Sequence, residues 1–444
     1  MENLIVCKFG GSSIISKADV ERIRKISDDD SARKILVVSA PGKRNNNDKK
    51  VTDLLIALAE DTRACIDDLE TRTRANEIIT RYQALTSKTL AYIEEELQQR
   101  IKLGLPSDAY LDSVKAFGEE ACAKVLAEAL NAEYVDPQEL FLVTPDFSGA
   151  AILPPSEKMI QRRLKGIEKL CVVPGFYGYT ENGTIATFSR GGSDLTGAYI
   201  AAALDARMYE NFSDIPGILA ADPRIVRNPK KIEKLTFKEM RDLAYLGSKL
   251  HPEAISPCAK KGIPIHIRET AGYPARGTYV VQERMSDPNQ PIVGVAYQGG
   301  FCSFDILKFG VNEEVGVLRR ILQVFEDKNI SVEYVPSAID DISVIVRDDE
   351  LKKHDIGMIV GRIQSALGCG TDVNFKEHLG CLAVAGKALR GHRGISASIQ
   401  STLADAGVNI IFISQGSEER CIIYGINGSD HKKAVNAIYD KYLR

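Results

Sequence analysis

Apolar residues along this chain fall into short continuous runs that alternate with longer stretches of helical spacing. Leu4 to Phe9 is a run typical of a buried strand, and Ala18 to Ile26 then repeats its apolar residues at helical spacing. A further apolar run at 35–38 and β-type runs at 171–173, 184–188 and 208–212 predict more strands. Strands that alternate with helices predict an α/β fold with a mostly parallel sheet, in which ligands bind where the strands end.

The region from about Asp61 to Ala132 is charged and rich in helix-forming residues, so we expect helices there. Within it, Phe117-Gly118-Glu119-Glu120 predicts the start of a helix over 121–130, with Glu119 complementing the helix dipole. The polar segment Lys43 to Lys50 predicts a solvated loop.

The pattern changes after Gly277, where connecting strands lead into two similar units. The first unit contains Gly316, an apolar helix and Asn329-Ile330-Ser331-Val332. The second contains Gly394, a helix and Asn409-Ile410-Ile411-Phe412. A tandem repeat of this length predicts two small βαβ modules rather than a solenoid. We therefore expect domains at residues 1–280, 281–375 and 376–444.

The composition is typical of a soluble globular protein, with 44% apolar and 26% charged residues. A net charge of −3 predicts neither a nucleic-acid partner nor a membrane partner. No apolar stretch reaches the roughly 18 residues that a membrane-spanning helix needs. The nine cysteines lack zinc-type spacing, so we predict no metal held by the protein alone. An odd number of thiols fits a reducing, cytoplasmic location.

The first candidate site is the segment Lys8-Phe9-Gly10-Gly11-Ser12-Ser13, which places a lysine at the end of a buried strand. Glycines let backbone N–H groups approach a phosphate, and a helix that starts at the following hydroxyls would favour negative charge. Lysine adds a compact cation for phosphoryl oxygens. The same residues also fit a simple turn, and their spacing leaves both interpretations open.

The second candidate site is Ser189 to Thr196, between a predicted strand and an Ala-rich helix. Ser193 suits the N-cap of that helix and Asp194 suits its first turn, so both residues also have a structural interpretation. Arg190 is harder to explain structurally, because a guanidinium beside two glycines is well placed to bind a carboxylate through two parallel hydrogen bonds.

Two weaker candidates are carboxylates. Glu119 either complements a helix dipole or binds an ammonium group of a substrate, and Asp214 either completes an ordinary turn or lines a nucleotide. The motifs of P-loop NTPases, protein kinases, zinc metalloproteases and serine hydrolases are absent from the sequence, which disfavours those classes of enzyme.

Together these segments resemble aspartokinases in their order and spacing. The matching segments are KFGGSS (8–13), VVSAPGK (37–43), VTDLL (51–55), GE (118–119), VPGFYG (173–178), FSRGGSDLTGA (188–198) and SDIPGILAADPRIV (213–226). The C-terminal pair resembles the two ACT domains of the same enzymes through NEEVG (312–316), VPSAIDDISVIV (335–346) and SQGS (414–417). The resemblance covers nearly the whole chain. It implies an amino-acid-kinase-type three-layer sandwich with a mostly parallel central sheet, followed by two βαβ ACT-like modules.

The resemblance implies that ATP phosphorylates the side-chain carboxylate of L-aspartate to 4-phospho-L-aspartate, the first step towards lysine, threonine and methionine. It implies that Lys8 contacts the transferring phosphoryl group and that Asp194 helps to organise the active site. The residues implied for aspartate are Ser39, Thr52, Glu119, Arg190 and Ser193. The residues implied for ATP, with which Mg²⁺ would arrive, are Lys8, Gly10, Gly11, Ser12, Ser213, Asp214, Leu219, Arg224 and Lys249.

Two positions depart from the family pattern. Gly247 to Pro252 is one residue shorter than the corresponding segment of many aspartokinases, which places the ATP contact of Lys249 in question. Leu219 stands where many members have tyrosine, so a ring contact to the nucleotide is lost.

Paired ACT-like units imply feedback regulation by an amino acid such as lysine or threonine, and a homodimer or homotetramer formed through these units. The implied effector contacts are Val315, Gly316, Val317, Leu318, Asn329, Ile330, Ser331, Val332 and Glu333. Two other functions stay open: another amino-acid-kinase enzyme such as acetylglutamate kinase, or an inactive amino-acid sensor of the same fold. Fusion to homoserine dehydrogenase is not expected, because Arg444 follows directly after the second unit.

Overall fold

A computed structural model of the chain describes residues 3–64, 69–189, 191–245 and 252–444. These residues form two compact units. The first comprises the described residues up to Ile218, together with Glu233–Phe237 and 252–284. The second comprises Leu219–Ile232, 238–245 and Met285–Arg444. Within these ranges, no helix has both the length and the apolar composition that crossing a membrane would require.

Strands and helices alternate through the first unit and recur in the second. The strands are β1 (Ile5–Phe9), β2 (Arg33–Val38), β3 (Glu133–Tyr134), β4 (Cys171–Pro174), β5 (Tyr177–Tyr179), β6 (Ile185–Thr187), β7 (Met208–Ser213), β8 (Lys234–Thr236), β9 (Ile265–Glu269), β10 (Thr278–Val281), β11 (Gly294–Leu307), β12 (Val332–Tyr334), β13 (Asp341–Arg347), β14 (Asp372–Ala385), β15 (Ile410–Gln415) and β16 (Cys421–Asn427). The helices are α1 (Lys17–Asp28), α2 (Val51–Arg63), α3 (Leu69–Gln83), α4 (Ala91–Arg100), α5 (Ser107–Leu130), α6 (Pro155–Leu164), α7 (Gly192–Ala203), α8 (Phe237–Tyr245), α9 (Pro252–Lys261), α10 (Val317–Glu326), α11 (Asp348–Leu351), α12 (Ile356–Leu367), α13 (Ile395–Asp405) and α14 (His431–Tyr442).

The first unit is built on an eight-stranded sheet in the order β3-β4-β2-β1-β7-β9-β10-β8. Its strand pairings are parallel, with the antiparallel exception of β9 and β10, which confirms the mostly parallel sheet. All five residues of the central strand β1 are buried. Because β1, β2, β4 and β7 are parallel, the loops that follow them leave the same edge of the sheet, where ligands bind in folds of this class.

Strand β6 lies outside this sheet and pairs only with β5 in a separate antiparallel hairpin, within the part of the chain that the structure describes. The sequence predicts a strand at 184–188 but contains no signal for which sheet it joins, because pairing depends on contacts between distant segments.

Helix α5 corrects one prediction. It runs continuously from Ser107 to Leu130, so Glu119 lies in its middle rather than at a helix start. Gly118 suggests a boundary in the sequence, yet a Cβ atom there would lie 2.9 Å from the Cβ of Ala40. Glycine at this position therefore lets α5 pack closely against the end of β2, and it does not interrupt the helix.

The second unit contains a six-stranded antiparallel sheet in the order β12-β13-β11-β14-β16-β15. The two repeats are separated by 78 positions. Gly316 and Gly394 both precede a helix with φ of 84° and 81°, and Gly300 and His378 both have left-handed φ of 81° and 64°. In the same register Asn329 matches Gly407, which also has positive φ, so the Asn-Ile match seen in the sequence is displaced by two residues.

The long strands β11 and β14 join the two repeats into one sheet. Residues 301–307 of β11 pair with β13, and residues 379–385 of β14 pair with β16, while β11 and β14 pair with each other along their length. The boundary predicted at 375/376 falls inside β14, whereas the one predicted at 280/281 lies close to the division after Arg284.

Candidate active site

Lys8 lies near the end of the central strand and is held by an ion pair. Its Nζ is 2.6 Å from Oδ1 of Asp194, and the two side chains are only 9% and 13% exposed. The amide of Asn211 donates to the same oxygen at 2.9 Å, and Asn211 is the direct neighbour of Lys8 in the β1–β7 pairing. A lysine held this way presents its charge in a fixed position at the sheet edge. Asn211 was not among the predicted site residues, although a polar amide within the predicted strand at 208–212 is a signal in the sequence.

The glycine turn after Lys8 packs against the loop that follows β2. A Cβ atom on Gly11 would lie 2.4 Å from the carbonyl oxygen of Ala40, and the N–H of Gly42 donates to the carbonyl of Gly11 at 2.8 Å. The prediction that the hydroxyls of Ser12 and Ser13 open a helix is wrong, because they lie in a short 3₁₀ turn and α1 begins only at Lys17. A phosphate here would meet backbone of the turn rather than a helix N-terminus.

The second glycine turn leads into α7. Its N-cap is Gly191, with φ of 81°, so the prediction that Ser193 caps the helix is wrong. Ser193 lies inside the first turn and is buried against Gly175, where a Cβ atom would approach the Cβ of Ser193 to 2.6 Å. Asp194 lies in the first turn as predicted and points to Lys8. Arg190 lies outside the described residues.

Glu119 reaches the same sheet edge from α5. Its Oε1 accepts a hydrogen bond from the N–H of Ala40 at 3.0 Å, whereas the buried Oε2 has no hydrogen-bond partner among the described residues. Burial raises the pKa of Glu119 to about 8, and the positive charge of Lys8 acts in the opposite direction. Oε2 is therefore available to accept a hydrogen bond, and the positive charge of a substrate ammonium group there would stabilise the ionised carboxylate.

The predicted loop at 43–50 is present, and Arg81 of α3 anchors it. Arg81, which is almost fully buried, donates to the carbonyl of Gly42, to Oδ1 of Asp48 at 2.6 Å and to the carbonyl of Lys49. The neighbouring guanidinium of Arg44 and that of Arg81 lower the pKa of Asp48 well below its usual range.

Residues predicted for aspartate also lie around this loop. The N–H of Ser39 donates to the carbonyl of Phe9 at 3.2 Å, which places Ser39 beside the end of β1. Thr52 is the second residue of α2 and is half-buried. The structure therefore brings Lys8, Asp194, Ser193, Ser39 and Glu119 to the same edge of the sheet.

The residues predicted for the nucleotide are divided between the two units. Ser213 ends β7, and its carbonyl accepts from Thr270 at 2.9 Å, while Asp214 is exposed beside it. Leu219 and Arg224 belong to the second unit, where the Arg224 side chain is 86% exposed and pairs with Asp222 at 2.6 Å. Lys249 lies outside the described residues.

In the second unit, a groove of about 570 Å³ lies between the end of α10 and β12. Its lining residues are Leu322, Phe325, Glu326, Asn329, Ile330, Ser331, Val332 and Glu350. Four of the nine predicted effector contacts are therefore in one groove. Glu333 and the segment 315–318 do not line it: Val315 is 94% exposed, and Val317 is buried in the core beneath α10.

Across the described ranges, no cluster of three or more His, Cys, Asp or Glu side chains has a geometry that could hold a metal ion. Each cysteine in those ranges is free.

Comparisons with known proteins agree with this arrangement. The sequence model of the amino acid kinase family matches residues 3–269, and that of the ACT domain matches residues 382–442. The chain is 39% identical to aspartokinase 3 of Bacillus subtilis over 453 residues, which cover 99% of this chain and 98% of that protein.

Solved structures show the same likeness. The aspartate kinase of Clostridium acetobutylicum, described as an allosteric enzyme, matches 99% of this chain and 100% of its own with a TM-score of 0.87 and 35% identity. Aspartokinase III of E. coli in complex with aspartate and ADP shares the fold, with a TM-score of 0.80 and 22% identity over 99% of this chain and 100% of its own.

Proposed function

The chain belongs to the amino acid kinase family and, within it, to the aspartokinases, and we propose that it transfers the terminal phosphoryl group of ATP to the side-chain carboxylate of L-aspartate. The observation that best supports this reaction is the cluster of Lys8, Asp194 and Asn211 beside two glycine turns, together with Oε2 of Glu119, which has no hydrogen-bond partner among the described residues. A carboxylate oxygen of aspartate attacks the terminal phosphorus, and the bond from that phosphorus to the bridging oxygen of ADP breaks.

Lys8 is the proposed catalytic cation. Phosphoryl transfer needs fixed positive charge at the equatorial oxygens of the transferring group rather than covalent chemistry from the protein. Asp194, whose Oδ1 also accepts from the amide of Asn211, holds the ammonium group before substrate arrives, so little reorganisation is needed at the moment of reaction. Gly10 leaves room for the phosphates beside Lys8, since a Cβ atom there would lie 3.5 Å from its Nζ, and Gly11 lets the turn pack against Ala40.

Aspartate carries two carboxylates and one ammonium group, and we propose separate partners for them. Oε2 of Glu119 accepts from the ammonium group, because this buried oxygen has no other partner among the described residues. Arg190 binds a carboxylate through its two parallel N–H donors. Ser39, Thr52 and Ser193 complete the pocket. The resemblance of their motifs supports all three, and the place of Ser39 and Ser193 at the sheet edge supports those two further.

We propose that the nucleotide lies along the end of β7, with Ser213 and Asp214 as its neighbours, and that Leu219, Arg224 and Lys249 contribute to its binding. Mg²⁺ would enter with ATP, since protein cages dedicated to Mg²⁺ are uncommon. Asp194 fits as the protein carboxylate that would hold this ion. Lys8 and Asn211 both contact its Oδ1, so Oδ2 is the oxygen that would face the ion. The ion would neutralise charge on the phosphate oxygens.

Regulation is proposed for the groove between α10 and β12. Glu326 and Glu350 place two carboxylates at a groove that also offers the polar side chains of Asn329 and Ser331. Two carboxylates favour an amino acid with an additional positive charge, so we propose lysine rather than threonine as the effector.

We also propose a homodimer or homotetramer, formed through the second unit in a cytoplasmic enzyme. Phe309 and Val315, which are more than nine-tenths exposed, and Ile339 form apolar surface in the first repeat. Exposed apolar surface of this kind is typical of an interaction site. Sedimentation at micromolar concentration is expected to show a species larger than the 48.7 kDa monomer, and a monomer alone would contradict the proposal.

A coupled assay that detects ADP tests the reaction. ADP release is expected to require aspartate and to stay at background with N-acetylglutamate. Turnover with N-acetylglutamate alone would identify another enzyme of the amino acid kinase family. Absence of turnover with either, while aspartate and lysine still bind, would identify an inactive sensor.

A further inference from the structure

Asp112 is a fully buried carboxylate on α5, two helical turns before Glu119, and the proposed reaction does not use it. Its Oδ2 accepts from the N–H of Ser148 and from the N–H of Thr187, both at 2.7 Å. Its Oδ1 accepts from the hydroxyl of Ser148 at 2.9 Å and lies 2.6 Å from Nζ of Lys115. Each carboxylate oxygen therefore has two partners: both oxygens bind Ser148, Oδ2 also binds Thr187 and Oδ1 also binds Lys115.

The bond to Thr187 fixes the entrance to the second glycine turn. Thr187 ends β6, and two residues later the carbonyl of Ser189 accepts from the N–H of Gly192, where α7 begins. The carbonyl of Thr187 accepts from the N–H of Ala150 at 3.0 Å, so both the N–H and the carbonyl of Thr187 are hydrogen-bonded. The turn that contains Arg190 in the sequence thus starts from an anchored point.

The bonds to Ser148 hold the neighbouring loop in an unusual conformation. Ser148 has φ of 64°, a left-handed value that is uncommon for a residue with a side chain. Asp112 accepts from both the backbone N–H and the hydroxyl of this residue, and Lys115 donates to the same hydroxyl at 2.7 Å. A conformation of this cost persists only where surrounding contacts enforce it.

We propose that Asp112 is a positioning residue, which fixes the backbone at the end of β6 that leads into the turn before α7, so that this turn can bind aspartate. The inference rests on the proposed function, because Arg190 in this turn is the proposed partner of a substrate carboxylate. Asp112 acts through the acceptor geometry of Oδ2, which holds two backbone N–H groups, rather than through its charge. Lys115 neutralises that charge but does not contact Thr187, so it has no direct hold on the turn.

Two charge-matched double variants separate these roles. Asp112→Asn with Lys115→Met removes both charges and keeps an oxygen that can accept from Thr187 and Ser148. Asp112→Ala with Lys115→Met is equally neutral and removes the acceptor. We expect the Ala pair to raise the KM for aspartate about tenfold and the Asn pair to stay within about threefold of the wild type. For the Ala pair, kcat and the KM for ATP are expected to change by less than about threefold, because Asp194 keeps its contacts with Lys8 and Asn211.

Hydrogen–deuterium exchange of the peptide at 187–192 provides a readout that needs no turnover. Exchange is expected to quicken in the Ala pair and to stay near the wild-type rate in the Asn pair. Equal KM values and equal exchange in the two pairs would overturn the inference, as would a KM that simply follows the melting temperature. If the wild type does not phosphorylate aspartate, the proposed function fails, and the exchange comparison still decides whether Asp112 holds the turn.

Discussion

Lys8 and Asp194 in the first unit are paired and almost covered by protein, whereas Asn329 and Ser331 at the proposed effector groove of the second unit are exposed to solvent. The same contrast holds for acidic side chains. Glu119 is buried without a cation, while Glu326 at the proposed effector groove is exposed. Residues proposed for chemistry are thus enclosed before any ligand binds, and those proposed for regulation are accessible.

The physical reason lies in what each site has to do. Electrostatic stabilisation of a transition state is strong only where water is excluded and the charges are already oriented. An effector, by contrast, shifts an equilibrium only through differential contacts with two states, and these contacts need an accessible surface. Substitutions in the first unit should therefore have larger effects on turnover than substitutions in the second.

The largest expected effect is that of Lys8→Met on kcat. Removing the cation should lower kcat by about 10²–10³-fold, since one preorganised group that stabilises developing charge typically contributes that much. The coupled ADP assay at saturating ATP and aspartate measures it, and circular dichroism checks that the fold is retained.

Lys115→Met is the matched control, because Lys115 is also a nearly buried lysine that lies 2.6 Å from an aspartate in the same unit. It is expected to lower the melting temperature while kcat falls far less than in Lys8→Met. Equal losses of kcat in the two variants would mean that Lys8 acts through folding and not through the phosphoryl group.

The next largest effect is that of Arg190→Ala on the KM for aspartate. Loss of charged hydrogen bonds to a carboxylate typically costs about 1.5–3 kcal/mol, so KM should rise by about tenfold to a hundredfold. Arg207→Ala is the control, since Arg207 lies at the surface and pairs with Asp30. An unchanged aspartate dependence in Arg190→Ala would remove this residue from the site.

Much of this site was predictable because its residues occupy local patterns. Lys8 closes an apolar run and precedes two glycines, and Asp194 follows two more, so both could be identified from neighbours in the sequence. The mostly parallel sheet followed in the same way from alternating strands and helices. The amino-acid-kinase-type fold and the role of Glu119 came from the resemblance to aspartokinases.

The missed features depend on contacts between distant segments. Asn211 meets Asp194 only because β7 pairs with β1, and Gly118 is needed only because Ala40 packs against it. The sequence aligned Asn329 with Asn409, whereas the structure aligns it with Gly407. Asn329 and Gly407 both adopt a left-handed conformation after a helix, but they are different residue types, so the sequence does not show that they are equivalent.

A smaller effect concerns pH. The pKa of Glu119 is raised to about 8 by burial, so the free enzyme holds this carboxyl protonated at neutral pH. Aspartate needs the ionised form to receive its ammonium group, and binding must therefore release a proton. The KM for aspartate should fall by up to about tenfold per pH unit as pH rises towards 8, and should then level off.

Glu119→Gln should flatten this pH dependence and raise the KM. Because the folded pKa lies above the unfolded value, Glu119 favours folding most below the unfolded pKa, and this contribution is lost as pH rises through about 8. The melting temperature of Glu119→Gln relative to the wild type should therefore increase with pH. A wild-type KM that does not vary between pH 6 and 8 would exclude titration of Glu119 in aspartate binding.

The smallest expected effect tests the second unit. Glu350→Gln removes one charge from the groove between α10 and β12, where partial exposure limits an ionic contact to about 1 kcal/mol, so the lysine concentration for half-inhibition should rise about fivefold. Glu377→Gln is the control, because Glu377 is an exposed carboxylate on β14 that does not line this groove. The change in lysine response should exceed any change in turnover without lysine, because the groove contributes nothing to the phosphoryl site. The reverse pattern, a large loss of turnover with an unaltered lysine response, would contradict the division of chemistry and regulation between the two units.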